Sequence, residues 1–397
     1  MKERTILHCD VNNFFASCEC ATRPELAGLP VAVAGNPKKR TGIILAKNEI
    51  AKKYGVKTGM AIWEAKNLCA DLVTLLPHYD LYEEICEKLH ELYLEYTDFV
   101  EPLGLDECWL DVTNSLSYLG KSGEEIANEL RERVKKEFNF TISVGVSFSK
   151  IFAKLGSDMK KPDATTIIPR SRFEQMTYNL PLNSIVGIGR RHERRFTKMN
   201  VNSIGEFVQL PDNYLQKVMG ITGVRLKHSL LGDREEEVLN YYKLPAPKSI
   251  GNGTTTIQDI TSRDDIKATI CFLCEKVSAR LYNHGFLAST LGVSVKTNEF
   301  ERAHKTTKIT PTQDASQLCK LATELLDKFW KYDKPVRAIR VRTSGFSDDK
   351  ARQLSMFDEK KESTNLTSSI DKINSKYGHI GFASDKREFI NKDKRHQ

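Results

Sequence analysis

Residues 99–113, FVEPLGLDECWLDVT, contain two apolar stretches separated by a glycine turn and two acidic residues. From 108 to 112 an apolar residue recurs at every second position, which is the period of a half-buried strand. A turn between two such stretches predicts a β-hairpin. Asp106 and Glu107 would then lie at the start of its second strand.

The segments on either side complete a regular order of strands and helices. Residues 4–10 form an apolar stretch of strand length, and residues 79–97 have one apolar face at helical spacing. After the hairpin, Ser122 and Glu125 make a capping box for a second helix, and residues 140–146 alternate as a strand does. The order β-α-β-β-α-β is that of the ferredoxin-like fold.

In that fold the first and third strands are adjacent and antiparallel at the centre of the sheet. Asp10, at the end of the first strand, should therefore lie beside Asp106 and Glu107. Clustered carboxylates that stay ionised normally hold divalent cations, and oxygen ligands favour Mg²⁺. Two such ions suit in-line phosphoryl transfer. The alternative is that the three acids are ordinary strand-end and turn residues.

The remaining chain predicts a multi-domain α+β protein. An insertion at 13–77 can form a small lobe beside the carboxylates, and short helices with glycine turns follow residue 162. A charged link with prolines at 234–247 leads to a second β-α-β-β-α-β pattern, and from 347 the chain is polar. The elements predicted outside the first unit are strands at 30–34, 42–46, 250–257, 287–296, 305–309 and 336–343, and helices at 264–283, 314–332 and 367–377.

Length and composition indicate two to four domains and no membrane segment. The chain has 397 residues, 40% of them hydrophobic, and no apolar run approaches the ~20 residues of a membrane-spanning helix. Because the first residues also lack a secretory signal pattern, we expect a cytoplasmic protein. The nine cysteines are expected to be reduced and mostly buried, including Cys271 and Cys274 within a helical pattern.

Charge is unevenly distributed along the chain. Residues 1–149 hold 17 basic and 23 acidic residues, whereas residues 150–397 hold 43 basic and 29 acidic residues. A net charge of −6 against +14 favours binding of a polyanion such as nucleic acid by the second part. Many soluble proteins also carry a basic face, so charge alone leaves this open.

Three motifs in combination resemble one enzyme family. ILHCDVNNFFASCE at 6–19, GLDECWLDVT at 104–113 and SVGVSFSKIFAKLGSDMKKP at 143–162 are similar to motifs of the Y-family of translesion DNA polymerases. The resemblance extends to about residue 345 and implies template-directed addition of deoxynucleotides to a primer 3′-OH, at low fidelity, past damaged bases and without proofreading. It also implies a palm at 1–12 and 78–168, fingers at 13–77, a thumb at 169–236, a linker at 237–247, a little finger at 248–346 and a tail at 347–397.

Residue by residue, the resemblance implies a site for two Mg²⁺ ions and a deoxynucleoside triphosphate. The three acids would be the catalytic residues. The metal ligands would be Asp10, Asp106, Glu107 and the backbone carbonyl of Val11. The resemblance also implies primer-template DNA as the partner of the protein, which would act as a monomer.

A second group of residues would bind the nucleotide. Phe15 matches the steric gate, whose ring would clash with the 2′-hydroxyl of a ribonucleotide. Lys161, before a proline, matches a lysine that contacts the triphosphate, and Lys52 can add positive charge there. Phe14 is placed in the same group by its position, although core packing is the simpler interpretation of its side chain.

The finger motif GIILAKNEIAKKYG at 42–55 departs from the common family pattern. Ala46, Glu49 and Lys52 stand where many members have Thr, Tyr and Arg. Lys52 lacks the planar bidentate fork of arginine, and Glu49 cannot contact a phosphate through its carboxylate. Lys47 is therefore a candidate to compensate.

Two further regions are expected to contact DNA. VGIGRRHERRF at 186–196 is similar to a helix-hairpin-helix turn, in which the backbone N–H groups of the turn at Gly187 and Gly189 would face a phosphate. The neighbouring Arg190, Arg191, Arg194 and Arg195 would reinforce this contact. MGITGVRLK at 219–227 is a weaker second example, and a glycine that ends a helix is the alternative for both.

Three arginines near the last strand of the second β-α-β-β-α-β unit are also expected to bind phosphates, whatever the base sequence. Arg340 and Arg342 should share one face of the strand, whereas Arg337 should point the other way.

The tail contains QLSMF at 353–357, which resembles the peptide by which bacterial polymerases bind the sliding clamp. An apolar patch that folds back on the protein is the alternative. The predicted clamp-binding residues are Gln353, Leu354, Met356 and Phe357.

Two other functions would use some of the same features. Paired acids on a ferredoxin-like sheet would also suit a two-metal nucleotidyl cyclase, but the basic second part of the chain argues against that function. A non-catalytic DNA-repair scaffold would bind DNA, yet it would have no use for the three acids. Primer extension with Mg²⁺ distinguishes both from a polymerase.

Overall fold

The computed structural model describes residues 3–37, 40, 42–234 and 236–348. The chain divides into two compact units between Ala246 and Pro247, inside the segment predicted to be a link. The peptide at 353–357 and the helix predicted at 367–377 lie outside the described residues. No described helix has the length and apolar character that crossing a membrane requires.

The first unit contains eight strands and twelve α-helices among its described residues. Its strands are β1 (Ile6–Val11), β2 (Val31–Ala34), β3 (Ile44–Lys47), β4 (Val73–Leu75), β5 (Val100–Pro102), β6 (Glu107–Asp111), β7 (Ile142–Ser147) and β8 (Thr165–Ile168). Its helices are α1 (Phe14–Thr22), α2 (Glu49–Lys53), α3 (Ile62–Leu68), α4 (Tyr79–Leu94), α5 (Leu116–Leu119), α6 (Gly123–Phe138), α7 (Lys150–Met159), α8 (Phe173–Thr177), α9 (Arg190–Thr197), α10 (Ile204–Val208), α11 (Asp212–Met219) and α12 (Ile221–Leu231).

The larger sheet has the strand order β5-β6-β1-β7-β8. Strand β1 lies antiparallel between β6 and β7, which confirms the predicted ferredoxin-like arrangement. Cys108, Leu110 and Val112 are buried, as their alternation predicts. The capping box of Ser122 and Glu125 begins α6, and its Ile126, Leu130 and Val134 pack in the same core.

Helix α7 covers the other face of this sheet at unusually short range. A Cβ added to Gly145 would lie 1.9 Å from the backbone oxygen of Ala153, so only glycine fits here. The close approach brings the helix onto β1 and β7. It therefore places the side chains of α7 beside the carboxyl end of β1, where Asp10 lies.

The insertion after β1 forms a separate small sheet with the order β3-β2-β4. It has its own core, which includes Ile44, Val56 and Leu72. Helix α1 lies between this lobe and the larger sheet. It contacts β2 and β3 of the lobe, while its Phe14 and Cys18 lie in the core of the larger sheet. Helices α8 to α12 pack around a third core, which includes Phe196 and Phe207.

The second unit confirms the predicted order of four strands and two helices. These are β9 (Ser249–Ile260), α13 (Arg263–His284), β10 (Phe286–Thr297), β11 (Arg302–Thr312), α14 (Ala315–Asp327) and β12 (Val336–Asp348). All paired strands are antiparallel, in the order β11-β10-β12-β9. The first strand is therefore at an edge, unlike β1 of the first unit.

The expectation that all cysteines are reduced is wrong at one pair. Cys271 of α13 and Cys319 of α14 form a disulfide, with their Cα atoms 4.7 Å apart. The two helices pack side by side, which a separation of 48 residues in sequence does not reveal. The other seven cysteines are free, and Cys274 lies in the core, as predicted.

Candidate active site

The structure brings the three predicted acids to one edge of the larger sheet. Asp10 of β1 is the register partner of Glu107 of β6. Asp106 immediately precedes β6, and its backbone oxygen accepts a hydrogen bond from the Val11 N–H at 2.9 Å. Asp10 is only 4% exposed, so its charge lies in a poorly solvated place. Nearly a hundred residues of sequence separate groups that the sheet makes neighbours.

Lys154 of α7 lies between two of these acids. Its Nζ is 3.0 Å from Asp10 Oδ2 and 2.9 Å from Glu107 Oε1. With Lys154 in this position, no group of three His, Cys, Asp or Glu side chains within the described ranges is arranged to hold a metal ion. The Lys154 ammonium itself is a cation held by carboxylate oxygens of Asp10 and Glu107. These two acids therefore have the donor type and the charge that a divalent cation requires.

Lys161 extends the same charge network. Its Nζ lies 2.8 Å from Asp10 Oδ2 and 2.9 Å from Asp158 Oδ1. Asp158 Oδ2 is also 3.2 Å from Lys154 Nζ. Sequence reasoning placed Lys161 here but missed Lys154 and Asp158. Lys154 and Asp158 are four residues apart on α7 and share one helical face, whereas Lys161 lies just beyond the end of that helix. The four-residue spacing is the signal that could have found the first two.

His8 is a further residue that sequence reasoning missed. It is fully buried, with Nδ1 2.8 Å from Ser157 Oγ and Nε2 3.5 Å from Glu107 Oε2. Burial lowers the pKa of His8. Its place in β1, two residues before Asp10 on the same face, could have suggested the contact.

The acids differ in how strongly they hold a proton. Burial, with the neighbouring charges of Asp10 and Glu107, raises the pKa of Asp106 to about 6. Burial also acts to raise the pKa of Glu107, but the nearby His8 ring and the hydrogen bond from Lys154 outweigh it and lower this pKa to about 2. Burial opposes the charge of Lys154, yet Asp10 and Glu107 raise its pKa. Glu107 and Lys154 thus form an ion pair at neutral pH.

Phe15 lies on the first turn of α1, against two tyrosines of α4. Its ring stacks on Tyr82 with centroids 4.3 Å apart and an interplanar angle of 11°. Tyr79 meets the Phe15 ring edge-on at 5.8 Å. Phe15 is partly exposed, whereas Phe14 is buried in the core beside Tyr82. The side chain of Phe14 therefore follows the core-packing interpretation.

The charged side chains at the finger positions pair with one another and with neighbouring polar groups. Lys52 Nζ is 3.2 Å from Glu49 Oε1, and the same oxygen accepts a hydrogen bond from Asn13 Nδ2 at 2.9 Å. Lys47 Nζ is 3.5 Å from Thr58 Oγ1. Glu49 therefore pairs with the lysine that was expected to face the triphosphate, and Ala46 lies in β3.

The two glycine turns have different geometries. Gly187 has a φ of +102°, and Gly189 immediately precedes α9, which begins at Arg190. Neither glycine directly follows an α-helix, so the helix-end alternative does not describe them. Gly220 does follow an α-helix, since it alone separates α11 from α12 with a φ of +70°.

The three arginines of the second unit lie on β12. Arg340 and Arg342 are exposed and alternate with buried Ile339 and Val341, so they share a face as predicted. Arg337 lies near a register irregularity at the start of the strand, with its guanidinium 5.1 Å from the centre of the Phe300 ring.

Comparisons with known proteins agree with these features. Residues 9–158 match the impB/mucB/samB family, and residues 247–356 match the C-terminal domain of the same family. DNA polymerase IV of Acetivibrio thermocellus is 40% identical, over 95% of this chain and 96% of that protein. DNA polymerase IV 1 of Bacillus subtilis is 31% identical, over 95% and 91%. A Y-family DNA polymerase chimera, Dbh-Dpo4(243-245)-Dbh, has a similar fold, with a TM-score of 0.76, 23% identity, and 86% and 98% of the two chains covered.

Proposed function

Because the chain belongs to the impB/mucB/samB family of Y-family DNA polymerases, we propose that it extends a primer 3′-OH with deoxynucleotides, directed by a template. As a translesion polymerase it copies past damaged bases at low fidelity and does not proofread. Its substrates are primer-template DNA and deoxynucleoside triphosphates. Chromosomal DNA as substrate favours a cytoplasmic location in a bacterium, with the protein acting as a monomer.

The observation that carries this proposal is the pair of carboxylates, Asp10 and Glu107, which hold the ammonium of Lys154 between them at the sheet edge. Asp10, Asp106, Glu107 and the Val11 carbonyl would hold two Mg²⁺ ions, in the place where Lys154 now bridges Asp10 and Glu107. When bound, the two ions lower the pKa of the 3′-OH and neutralise the triphosphate. The low pKa of Glu107 keeps that ligand ionised throughout the physiological range.

Other residues of the chain bind and orient the nucleotide in this proposal. Lys161, which pairs with Asp10 and Asp158, is close enough to the acids to contact a phosphate. Lys52 contributes charge only if it leaves Glu49, so we assign it the lesser role. Phe15 supports the sugar and excludes a 2′-hydroxyl.

Primer extension tests the proposal directly. A labelled primer on a longer template is incubated with Mg²⁺ and one deoxynucleotide at a time. The nucleotide complementary to the template should extend it fastest, and mismatched nucleotides should extend it more slowly. DNA binding without extension would favour a repair scaffold. Cyclic nucleotide formed without primer or template would favour a cyclase. Either result would overturn the proposal.

We also propose that Arg340 and Arg342 bind phosphates of the duplex, because both are exposed on one face of β12. Changing both to Gln should weaken binding to every duplex sequence alike. The slope of log K against log salt should become less steep by about 0.9 for each phosphate that the protein no longer neutralises. Fluorescence anisotropy at several salt concentrations measures this slope.

The matched control is Arg263→Gln on the same unit. Arg263 is exposed but pairs with Asp327, so its loss should leave the salt slope unchanged. The phosphate-binding role is refuted if the double variant keeps the parental slope and affinity. Gly187, Gly189 and Arg190 are proposed as a second phosphate contact, through the N–H groups at the start of α9.

The tail peptide is proposed to bind a bacterial sliding clamp through Gln353, Leu354, Met356 and Phe357. The double change Leu354→Ala with Phe357→Ala removes both apolar anchors, and each anchor typically contributes at least ~2 kcal/mol to binding. We therefore expect at least about a hundredfold loss of clamp affinity in a calorimetric titration. Extension of a short primer without the clamp should not change. Equal clamp affinity of parent and double variant would exclude this role.

A further inference from the structure

A carboxylate is buried one helical turn beyond Phe15. Glu19 is fully buried on α1 and lies four residues after Phe15, on the same face of the helix. Its Oε1 accepts a hydrogen bond from the Tyr82 hydroxyl at 2.6 Å and lies 2.7 Å from His78 Nδ1. Burying a carboxylate is costly unless its oxygens are bonded. None of the roles assigned above uses this group.

The bonds of Glu19 connect two helices. His78 immediately precedes α4 and Tyr82 lies in its first turn, so Glu19 ties the middle of α1 to the beginning of α4. Arg23 is the remaining charged neighbour, with its guanidinium 3.4 Å from Glu19 Oε2. The arrangement therefore sets the position of α4 relative to the helix that carries Phe15.

Tyr82 connects this carboxylate to the Phe15 ring. Its hydroxyl is bonded to Glu19, and its ring face is stacked on Phe15 at 4.3 Å. Tyr82 is fully buried, and Tyr79 meets its ring edge-on at 5.9 Å. A tyrosine side chain has only two rotatable bonds before the hydroxyl. With its far end and one face both held, the Tyr82 ring cannot tilt to let Phe15 move back.

We propose that Glu19 is a positioning residue for sugar selection, acting through Tyr82 on Phe15. This inference rests on the proposed function, in which Phe15 excludes the 2′-hydroxyl. Exclusion by a clash requires a ring that does not yield, and displacements of about 0.5 Å are enough to relax such a site. The hydrogen bond to Glu19 supplies that resistance. Glu19 itself does not touch the nucleotide.

The test compares the ratio of kcat/KM for dCTP over CTP in single-nucleotide insertion opposite template guanine. Glu19→Ala removes the acceptor and should lower this ratio about fivefold or more, mainly by lowering KM for CTP, while insertion of dCTP stays within about twofold. Glu19→Gln keeps an acceptor for the tyrosine hydroxyl and should restore most of the ratio. Tyr82→Phe removes the same bond from its other end and should lower the ratio in the same direction.

A matched control is Glu84→Ala, which removes an exposed acid from α4 that pairs with Lys88 on the helix surface. It should leave the ratio unchanged. Adding Glu19→Ala to Phe15→Ala should cause no further loss, because the ring through which Glu19 acts is already absent. A merely structural role would lower dCTP and CTP insertion together in both backgrounds.

The outcomes separate this inference from the proposed function. An unchanged ratio in both Glu19→Ala and Tyr82→Phe overturns the inference, as does an equal loss with and without the Phe15 ring. If Phe15→Ala itself keeps the parental ratio, the gate assignment fails and the inference with it. If the parent does not extend primers at all, the proposed function fails as well.

Discussion

Asp106→Ala is expected to reduce kcat/KM for primer extension by at least about a thousandfold, because metal-ion stabilisation of the transition state contributes several kcal/mol. The fold should persist. Burial and two neighbouring acids raise the pKa of Asp106 to about 6, so its charged form is less favourable in the folded protein than in the unfolded chain. Above that pKa, removing the carboxylate relieves repulsion and should not lower the free energy of unfolding.

The measurements are single-nucleotide extension and thermal unfolding by circular dichroism. Glu84→Ala serves as the control, because it removes an exposed acid of the same unit and should retain parental activity. If purified Asp106→Ala extended primers within tenfold of the parent, the assignment of the three acids would be wrong. An inactive variant with a much lower melting temperature would instead assign Asp106 a structural role.

Phe15→Ala is expected to admit ribonucleotides. Truncating the ring removes the clash with the 2′-hydroxyl and leaves Asp10, Asp106 and Glu107 in place. Clashes of this size typically cost about 1–3 kcal/mol, so the ratio of kcat/KM for dCTP over CTP should fall by about 5- to 150-fold. Most of the change should lie in a higher kcat/KM for CTP.

The control for the loss of an aromatic ring is Tyr118→Ala, since Tyr118 is 91% exposed. That variant should keep the parental ratio. An unchanged ratio in Phe15→Ala would mean that another residue excludes ribonucleotides, with Tyr79 as the first to examine because it lies against the same ring and is half exposed.

Much of the fold could be predicted from local patterns. Period-two alternation from 108 to 112 and the capping box at Ser122 depend on residues close in sequence, and the structure confirms both. The ferredoxin-like order then placed Asp10 opposite the hairpin, because the topology of that fold determines which strands are neighbours. The three motifs, taken together, indicated the family that the relatives show.

The contacts that local patterns could not supply all join distant elements. Lys154 reaches Asp10 and Glu107 only because Gly145 lets α7 approach the sheet closely. The disulfide between α13 and α14 likewise depends on how two helices pack.

The sequence by itself therefore determined the elements, their order and the acids at the sheet edge, because periodicity and turn residues act over a few positions. Only the tertiary structure decided which charges pair with those acids and which ring supports Phe15. Salt bridges and ring stacking require atoms within a few ångströms. For residues separated by tens of positions, such as Glu19 and Tyr82, that distance is set by the packing of whole helices and sheets.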